Sequence, residues 1–273
     1  IQTTLYDKND HLILLRDVTR LHFLEQMRKD FVANASHELK TPLTVIKGYL
    51  ETLDMFKDSL PKSMQKGIVN MAEQSERMEQ LIEDLLLLSR LESNDKREEN
   101  QWYKVSDIVH TITNATTPVL TEKHTITLDI PEEARLYGSY KELYSAFSNL
   151  IFNAIKYSPD GGEIEIRWES SEFNGVFSVK DSGLGIEPRY IPRLTERFFR
   201  VDKGRGSKTG GTGLGLAIVK HVLLHHDAKL QIRSQPGFGS TFSCHFPANR
   251  TRNDAIPALS IPTDNNNQDL PSH

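Results

Sequence analysis

A histidine with an acidic neighbour is the first group in this sequence that could do chemistry. His37 is followed directly by Glu38, and Thr41 comes one helical turn later, just before Pro42. A carboxylate can hold an imidazole in one tautomer and leave the other ring nitrogen free as a nucleophile. The less specific interpretation is an ordinary surface histidine on an amphipathic helix. The choice between the two depends on what the rest of the chain offers.

A second group of polar side chains comes more than a hundred residues later. Asn149 and Asn153 are four residues apart, so a helix would place both amides on one face, with Lys156 and Tyr157 one turn further. Amide oxygens suit a Mg²⁺ ion that keeps several waters and bridges phosphates, and the lysine adds a charge for phosphate. The alternative is an ordinary amphipathic helix, whose predicted core residues are Leu143, Phe147, Leu150, Ile151 and Ala154.

Two glycine-rich segments follow. Asp181 comes at the end of a strand-like run, where its carboxylate could accept a hydrogen bond from an adenine amino group. Glycines in the next turn would let the backbone pass close to the ring, and the turn contains Gly183, Gly185 and Ile186. The second segment precedes a helix, so its N–H groups and the helix dipole favour phosphate binding. Its residues are Gly211, Thr212, Gly213, Leu214 and Gly215.

The residues before the second glycine segment are polar and rich in basic side chains. A dinucleotide-binding fold requires a strand directly before such a loop, so residues 202–209 argue against that fold. We expect a lid instead, with cations available to face phosphates, and a solvated loop is the alternative. The cations are Arg197, Arg200, Lys203, Arg205 and Lys208.

The helices that must position His37 form a predicted antiparallel pair at 20–92. Apolar residues recur at helical spacing around it, at Leu24, Met27, Phe31, Ala35, Leu39, Ile46, Leu50 and Leu53. His37 is two residues from Leu39, about 200° around the helix, so we expect its imidazole in solvent. A second helix follows the connector 57–61 with a heptad-like stripe of Ile68, Met71, Ser75, Met78, Ile82, Leu85 and Ser89. Two copies would complete a four-helix bundle; a hairpin docked on its own second domain is the alternative.

The remaining pattern predicts several further units. Residues 1–19 resemble a hairpin at the end of another domain, and the charged segment 93–102 is predicted to be a linker. From 103 to 248 the pattern is mixed, with helices near 105–122, 139–157 and 212–226, and strands at 126–130, 164–168, 176–179, 230–232 and 241–246. This favours an α/β sandwich. The tail 249–273 is poor in apolar residues, and we expect it to be disordered.

Composition excludes several classes. The chain has 273 residues, 37% hydrophobic and 26% charged, with a net charge of −4, so nothing suggests nucleic-acid binding. The single cysteine, Cys244, cannot form an internal disulfide and is predicted to be a buried strand thiol. No apolar run approaches the roughly 20 residues that span a bilayer. Because the chain starts at Ile1, we expect a soluble fragment of a longer protein.

In order and spacing, these motifs resemble those of the sensor histidine kinases of two-component systems. Residues 36–42 match the H-box of that family and 149–157 its N-box. Residues 181–186, 211–217 and 237–241 match its three glycine boxes, and 196–202 its phenylalanine box. The resemblance covers about residues 12–247. Segments 16–19 and 193–198, with His225-His226, are similar to the members that serve the phosphate regulon.

The resemblance implies an α+β multidomain architecture. Residues 1–19 would end a PAS-like sensory domain, 20–92 would form the dimeric bundle that carries the phosphoacceptor, and 103–248 would be an ATP-binding domain of the Bergerat (GHKL) type. It implies that His37 takes the γ-phosphate of Mg-ATP, with Glu38 orienting the ring. Asn149 and Asn153 would hold Mg²⁺, Asp181 would select adenine, and the other residues named above would position the phosphates.

The resemblance also implies partners. The phosphoryl group would pass to an aspartate of a PhoB-like response regulator docked on the homodimeric bundle, and Thr41 would orient a water for dephosphorylation of that regulator. The parent protein would be anchored in the inner membrane with this portion in the cytoplasm. Two other functions are open: an ATPase of the same nucleotide fold, or a dimeric scaffold that binds nucleotide without turnover. The ATPases place a glutamate where Asn149 stands, and an amide cannot replace that base.

Overall fold

The structure is a computed structural model that combines a helical hairpin with an α/β domain. For His37, and for most of the described residues before position 34, the backbone is described but the side chain is not. The described residues are 2–5, 11–14, 19–92, 99–116, 120, 123–171, 174–201 and 211–253. Within them, no helix is both long and apolar enough to cross a membrane.

The chain begins with a β-hairpin, as predicted. Strand β1 (Gln2–Leu5) pairs antiparallel with β2 (His11–Leu14). The turn formers predicted at 7–10 lie outside the described residues. Helix α1 (Thr19–Met55) follows and runs through Pro42, and a 3₁₀ turn (Lys57–Ser59) connects it to α2 (Lys62–Glu92). The predicted helix pair is confirmed.

The apolar stripes of the two helices divide into two faces. Positions seven residues apart are buried between α1 and α2, namely Ser36, Leu43 and Leu50 against Ile68, Ser75 and Ile82. Other members of the stripes are exposed, as expected of a single hairpin that needs a second copy to complete its core: Met27, Leu39, Ile46, Leu53, Met71 and Met78. Two helices can cover only one edge of each stripe, so the other edge stays in solvent.

The α/β domain contains two sheets. The five-stranded sheet has the order β4-β6-β7-β9-β8, with β4 (His124–Asp129) parallel to β6 (Gly162–Ser170) and all other pairs antiparallel. Its remaining strands are β7 (Asn174–Asp181), β8 (Lys229–Gln235) and β9 (Gly239–Pro247). A smaller antiparallel sheet has the order β10-β5-β3, formed by β3 (Gln101–Lys104), β5 (Ala134–Gly138) and β10 (Thr251–Asn253).

Three helices share one apolar core with the sheet: α3 (Val105–Thr116), α4 (Tyr140–Lys156) and α5 (Gly215–His225). Phe147 of α4 stacks on Phe177 of β7 with ring centroids 3.8 Å apart. The predicted core residues of α4 are all buried, which confirms the amphipathic pattern. Cys244 is buried in β9 as predicted, and burial raises the pKa of its thiol.

Other predictions need correction. β3, β5 and β10 were missed, because strands of three to five residues give too short a pattern. Gln101 and Trp102 belong to β3, although the linker was predicted to extend to 102. The tail was predicted to be disordered from 249, but Thr251–Asn253 pairs with β5. Helix α3 ends at Thr116 rather than near 122. Residues 93–98 and 254–273 lie outside the described chain.

The buried side chain of His226 joins the end of α5 to the start of α4. Ser139 caps α4 by accepting the N–H of Glu142 at 3.4 Å, and its own N–H donates to Nε2 of His226 at 3.3 Å. Nδ1 of His226 lies 2.8 Å from the carbonyl of Val222 and must donate to it. The imidazole is therefore neutral, and burial lowers its pKa.

This pairing predicts acid sensitivity. The folded pKa of His226 lies below its ordinary value of about 6.5, so the unfolded chain takes up the proton first as pH falls. The stabilising contribution is complete above about pH 6.5 and is lost as pH falls through the folded pKa, at up to about 1.4 kcal/mol per pH unit. Urea unfolding of wild type and His226→Gln between pH 7.5 and 5 should show a weaker pH dependence in the variant. His110→Gln, at an exposed position of α3, is the control; equal slopes in all three would contradict this role.

Candidate active site

The two faces of helix α4 differ: one packs in the core, and the other carries the polar side chains of the site. With its apolar residues turned to the core, Asn149, Asn153 and Lys156 are left half-buried on the opposite side. The Asn149 amide nitrogen donates to the carbonyl of Ser145 at 2.9 Å, so its Oδ1 faces the start of α5. A Cβ on Gly215 would lie 2.3 Å from this oxygen, so the start of α5 passes directly over it. The predicted juxtaposition of these side chains with the second glycine segment is present.

Lys156 extends from α4 toward the same segment. A Cβ on Gly211 would lie 2.3 Å from its Nζ, and Nζ is 5.3 Å from the centroid of the Tyr157 ring. The pKa of Lys156 is lowered to about 8, chiefly by burial and also by the positive charges of Arg200 and Arg77. Lys156 is thus a partly buried side chain, and no carboxylate is among the causes of its pKa shift. When protonated, such a side chain is suited to bind an anionic ligand.

The turn after β7, which follows Asp181, lies against the C-terminal end of α4. Asp181 is only 5% exposed, and its Oδ1 accepts the N–H of Gly183 at 3.0 Å. Burial raises the pKa of this carboxyl, and hydrogen bonds from the backbone of Gly183 and Ser240 oppose the rise. The N–H of Leu184 donates to the carbonyl of Tyr157 at 3.0 Å, which fixes the turn to α4.

Glycine is required in this turn for two reasons. Gly185 has a φ of 65°, and a Cβ there would lie 2.0 Å from the carbonyl oxygen of Gln235. The adjacent Ile186 is half-buried, and its N–H donates to Oγ of Ser234 at 2.7 Å. These contacts hold the first glycine segment against β8 and β9, and Asp181 lies at the start of the segment.

The second glycine segment leads into α5. Gly213 has a φ of 74°, and the N–H of Leu214 donates to Oγ1 of Thr212 at 3.2 Å. Leu214 is fully buried and anchors the segment, while Gly211, Thr212, Gly213 and Gly215 are half-buried. The positive end of the helix dipole and the N–H groups of the first turn of α5 therefore lie beside Asn149 and Lys156.

The predicted basic residues are in different surroundings. Arg200 is close enough to Lys156 and Tyr157 for its charge to act on both side chains: burial raises the pKa of Tyr157 and Arg200 opposes the rise, whereas burial lowers the pKa of Lys156 and Arg200 adds to the fall. Arg197 instead forms an ion pair with Glu92 at the end of α2. Lys203 lies outside the described residues.

The predicted phosphoacceptor region lies in the middle of α1. Glu38 and Thr41 are exposed, and Pro42 cannot donate the helical hydrogen bond to the Glu38 carbonyl. The side chain of His37 is outside the described atoms, so its predicted orientation toward solvent stays a prediction.

Two residues of the site were missed from the sequence: Asp84 and Glu92, both on α2. Asp84 accepts a hydrogen bond from Thr212 at 2.8 Å, and Glu92 pairs with Arg197 and lies 3.6 Å from His221. Neither residue occupies an apolar position of the heptad pattern, so the pattern predicts that both are solvent-exposed surface residues. Only the packing of α2 on α5 reveals them.

Two family models match this chain. The His Kinase A (phospho-acceptor) domain matches residues 27–94, and the histidine kinase-, DNA gyrase B- and HSP90-like ATPase matches residues 138–250. Together they cover most of the chain, and the two matches correspond to the hairpin and to the site-bearing part of the α/β domain. The chain belongs to the sensor histidine kinases.

Within that family the chain is similar to two phosphate regulon sensor proteins named PhoR. The protein from Pseudomonas aeruginosa is 55% identical over 245 residues, covering 89% of this chain and 55% of the relative. The protein from Haemophilus influenzae is 41% identical over 249 residues, covering 90% and 58%. The chain thus spans a little over half the length of these relatives.

A solved structure agrees on the fold. The structure of full-length ShkA in complex with AMPPNP aligns with a TM-score of 0.65 at 22% identity, over 84% of this chain and 47% of that one. The fold, a helical hairpin followed by an α/β sandwich, is therefore shared with the aligned part of that structure.

Lys156 makes nucleotide binding pH-dependent. Its pKa of about 8 means that the cation is present at pH 7 and largely lost by pH 9, so affinity for a phosphate-bearing ligand should fall in this interval. Lys156→Arg keeps the charge over the whole range, and its affinity for Mg-AMPPNP should change less between pH 7 and 9, as measured by calorimetry. Lys141→Arg, at an exposed position of α4, is the control. A parallel decline in all three proteins would exclude Lys156 as the cause.

Proposed function

We propose that this chain is a protein-histidine kinase that phosphorylates His37. A ring nitrogen of His37 attacks the γ-phosphorus of ATP, a P–N bond forms, the bond to the β-phosphate oxygen breaks, and ADP leaves. The observation that carries the proposal is the convergence of Asp181, Asn149, Lys156 and the start of α5 on one site. This site belongs to a chain whose matched phosphoacceptor segment includes residue 37.

The adenine end of the nucleotide is assigned to the first glycine segment. The Asp181 carboxylate accepts the exocyclic N–H of adenine, and the backbone at Gly183 and Gly185 lets the ring approach, with Ile186 beside it. Burial of Asp181 favours this role, because a desolvated carboxyl gains more from an added donor than an exposed one does.

The triphosphate is assigned to the second glycine segment and the polar face of α4 beside it. Lys156, Arg200 and the N–H groups of the second glycine segment neutralise and orient its oxygens, with Tyr157 at the edge, and Arg197 and Lys203 are proposed to contribute further positive charge. The amide oxygen of Asn149 suits a hard cation, and Asn149 with Asn153 would hold Mg²⁺. When bound, Mg²⁺ supplies neutralisation of the phosphate charge. Phosphoryl transfer needs such positioning more than covalent chemistry.

Glu38 is proposed to orient His37. Its carboxylate accepts the proton of one ring nitrogen, which keeps the lone pair of the other nitrogen directed at phosphorus. A water-activating ATPase is disfavoured at this site, because Asn149 offers an amide and uses its nitrogen on Ser145. A scaffold without turnover would not need an acid beside His37.

A homodimer is proposed for the hairpin. Apolar residues on the uncovered edges of α1 and α2 would meet their equivalents in a second copy and complete a four-helix bundle; they include Leu39, Ile46, Leu53, Met71 and Met78. A soluble chain rarely leaves a stripe of this length in water unless another surface covers it.

The second substrate is proposed to be the receiver domain of a response regulator, whose aspartate accepts the phosphoryl group from His37. Identity of 55% to a phosphate regulon sensor protein supports a role in the response to phosphate starvation, with a PhoB-like regulator and a membrane-anchored parent chain. Residues 1–19 are proposed to complete a PAS-like sensory domain.

The kinase proposal is tested with γ-labelled ATP and Mg²⁺. Wild type should acquire label that is stable in base and labile in acid, and His37→Ala should lose it by more than about a hundredfold, since the variant lacks the proposed nucleophile. His110→Ala, an exposed histidine of α3, is the matched control and should retain the label. Label that survives His37→Ala, or AMPPNP binding in a wild type that never labels, would overturn the proposal.

Thr41 is proposed to orient the water that hydrolyses the phosphorylated regulator. Thr41→Ala should lower this phosphatase activity about tenfold or more and leave autophosphorylation within about twofold, since the hydroxyl acts only in the reverse task. Thr44→Ala is the control, because the Thr44 hydroxyl donates to its own helix at the Lys40 carbonyl, 2.9 Å away. Release of labelled phosphate from the regulator is measured in parallel with labelling of His37. Equal loss of both activities would contradict the assignment.

A further inference from the structure

An apolar groove lies outside the candidate nucleotide site. It is bordered by α5, by β8 and by the 3₁₀ helix Pro188–Arg193, and its volume is about 440 Å³. Ile191, Leu224, Leu230 and Ile232 line it, and none of the described candidate site residues does. Leu224 is 60% exposed, and the other three side chains are half-buried. The groove therefore presents apolar side chains to solvent.

Strand β8 supplies an open edge beside this groove. It is the last strand of the five-stranded sheet and pairs with β9 on one side. Over residues 229–233 its other side forms no backbone hydrogen bond with the described part of the chain. The hydrogen bond from Ile186 to Ser234 places the first glycine segment only at the far end of the strand. An open edge of this kind can accept a further strand, whose alternate side chains would enter the groove.

Two lysines give this edge a positive charge. Lys220 and Lys229 are exposed and border the groove. Neither is paired with a carboxylate of the described residues, and the nearby carboxylate of Asp227 pairs with Arg250 at 2.9 Å. Lysine on an open edge discourages pairing with most strands, so this edge favours a strand that has acidic residues beside it.

The segment 254–273 carries the complementary charge. It contains no lysine or arginine, and its aspartates are Asp254, Asp264 and Asp269. All but one of its leucine and isoleucine residues fall in the short stretch 255–261. One part of this segment therefore combines apolar side chains with acidic residues on both sides.

Residues 258–261 have the sequence pattern of a short strand. Leu259 and Ile261 are two residues apart, so an extended backbone would direct both side chains to the same side. Pro257 and Pro262 flank the four residues. Proline favours extended backbone in the residue before it and is tolerated at the edge of a sheet. The pattern therefore suits a strand that pairs along one side only.

This pattern occurs at the right distance along the chain from the groove. Oδ1 of Asn253 accepts the hydroxyl of Ser170 at 3.1 Å, which places Asn253 at the end of β6. In the strand order of the sheet, a strand added beside β8 would be four positions from β6, or about 19 Å. Residues 254–259 span about 20 Å when extended. Leu259 is therefore within reach of the groove, whereas Ile256 is not.

We propose that residues 258–261 bind to β8 of the same chain as a sixth strand of its sheet, with Leu259 and Ile261 in the groove. The backbone groups at the open edge of β8 gain partners, and the exposed apolar surface of Leu224 and Ile232 is removed from water. The aspartates on both sides of the added strand are attracted by the two lysines. The contact involves no nucleotide, so it is independent of the proposed kinase activity.

The strength of this contact depends on the connection between Asn253 and the added strand. A short flexible connection gives an effective concentration of about a millimolar. A four-residue strand whose free peptide binds with a Kd of about 0.1 mM would then be bound about ten times as often as unbound. Amides of β8 that it covers would exchange with solvent about tenfold more slowly than in an open edge.

The first experiment measures hydrogen exchange in the full chain for wild type, Leu259→Asp and Asn266→Asp. Leu259→Asp places a charge where the groove is apolar, so amides in residues 229–233 should exchange up to about tenfold faster than in wild type. Asn266→Asp adds the same charge to the same segment outside the proposed strand, and its exchange should match wild type. Equal exchange in the three proteins, whether the edge is open in all of them or covered in all by a second copy, would overturn the proposal.

A second experiment changes the groove and observes the added strand. Backbone order parameters of residues 258–261, measured by NMR relaxation, should lie above about 0.6 in wild type and fall below that value in Leu224→Asp. Leu128→Asp is the control, because Leu128 is an exposed leucine on β4, at the opposite edge of the same sheet. Order parameters below about 0.6 in wild type, or values that Leu224→Asp leaves unchanged, would contradict the proposal.

Discussion

The burial of one face of α4 is the constraint on which the candidate site depends. Phe147, Leu150, Ile151 and their neighbours are closed off between the sheet and α5, so the helix cannot rotate without exposing a large apolar area. The opposite face must then present Asn149 and Lys156 to the start of α5. The same apolar residues of α4 that stabilise the domain therefore also fix the direction of the polar side chains on the opposite face of the helix.

The site is assembled from segments that are each held by a backbone contact. The Leu184–Tyr157 hydrogen bond joins the first glycine segment to the end of α4, and buried Leu214 fixes the second segment. Helix α5 is only 11 residues long, yet it borders the second glycine segment at one end, the hydrogen bonds of His226 at the other, and α2 along its side.

Local pattern was sufficient for much of this architecture. The helix pair, α4 with its two faces, and both glycine segments could be predicted, because helical periodicity and glycine before a helix are properties of adjacent residues. The strands β3, β5 and β10 could not, since each is stabilised by a partner distant in sequence. Asp84 was also beyond prediction. Its sequence context is that of an exposed helix position. Its hydrogen bond with Thr212 joins two parts of the chain that are distant in sequence.

The division of the apolar stripe in α1 and α2 has a consequence for stability itself. Leu43 and Ile82 contribute their hydrophobic free energy within one chain, whereas Leu39 and Met78 stay in water until another surface covers them. Part of the free energy encoded in the hairpin is therefore realised only by mass action. The melting temperature of the hairpin then varies with protein concentration, and dilution alone acts on it as a denaturant would.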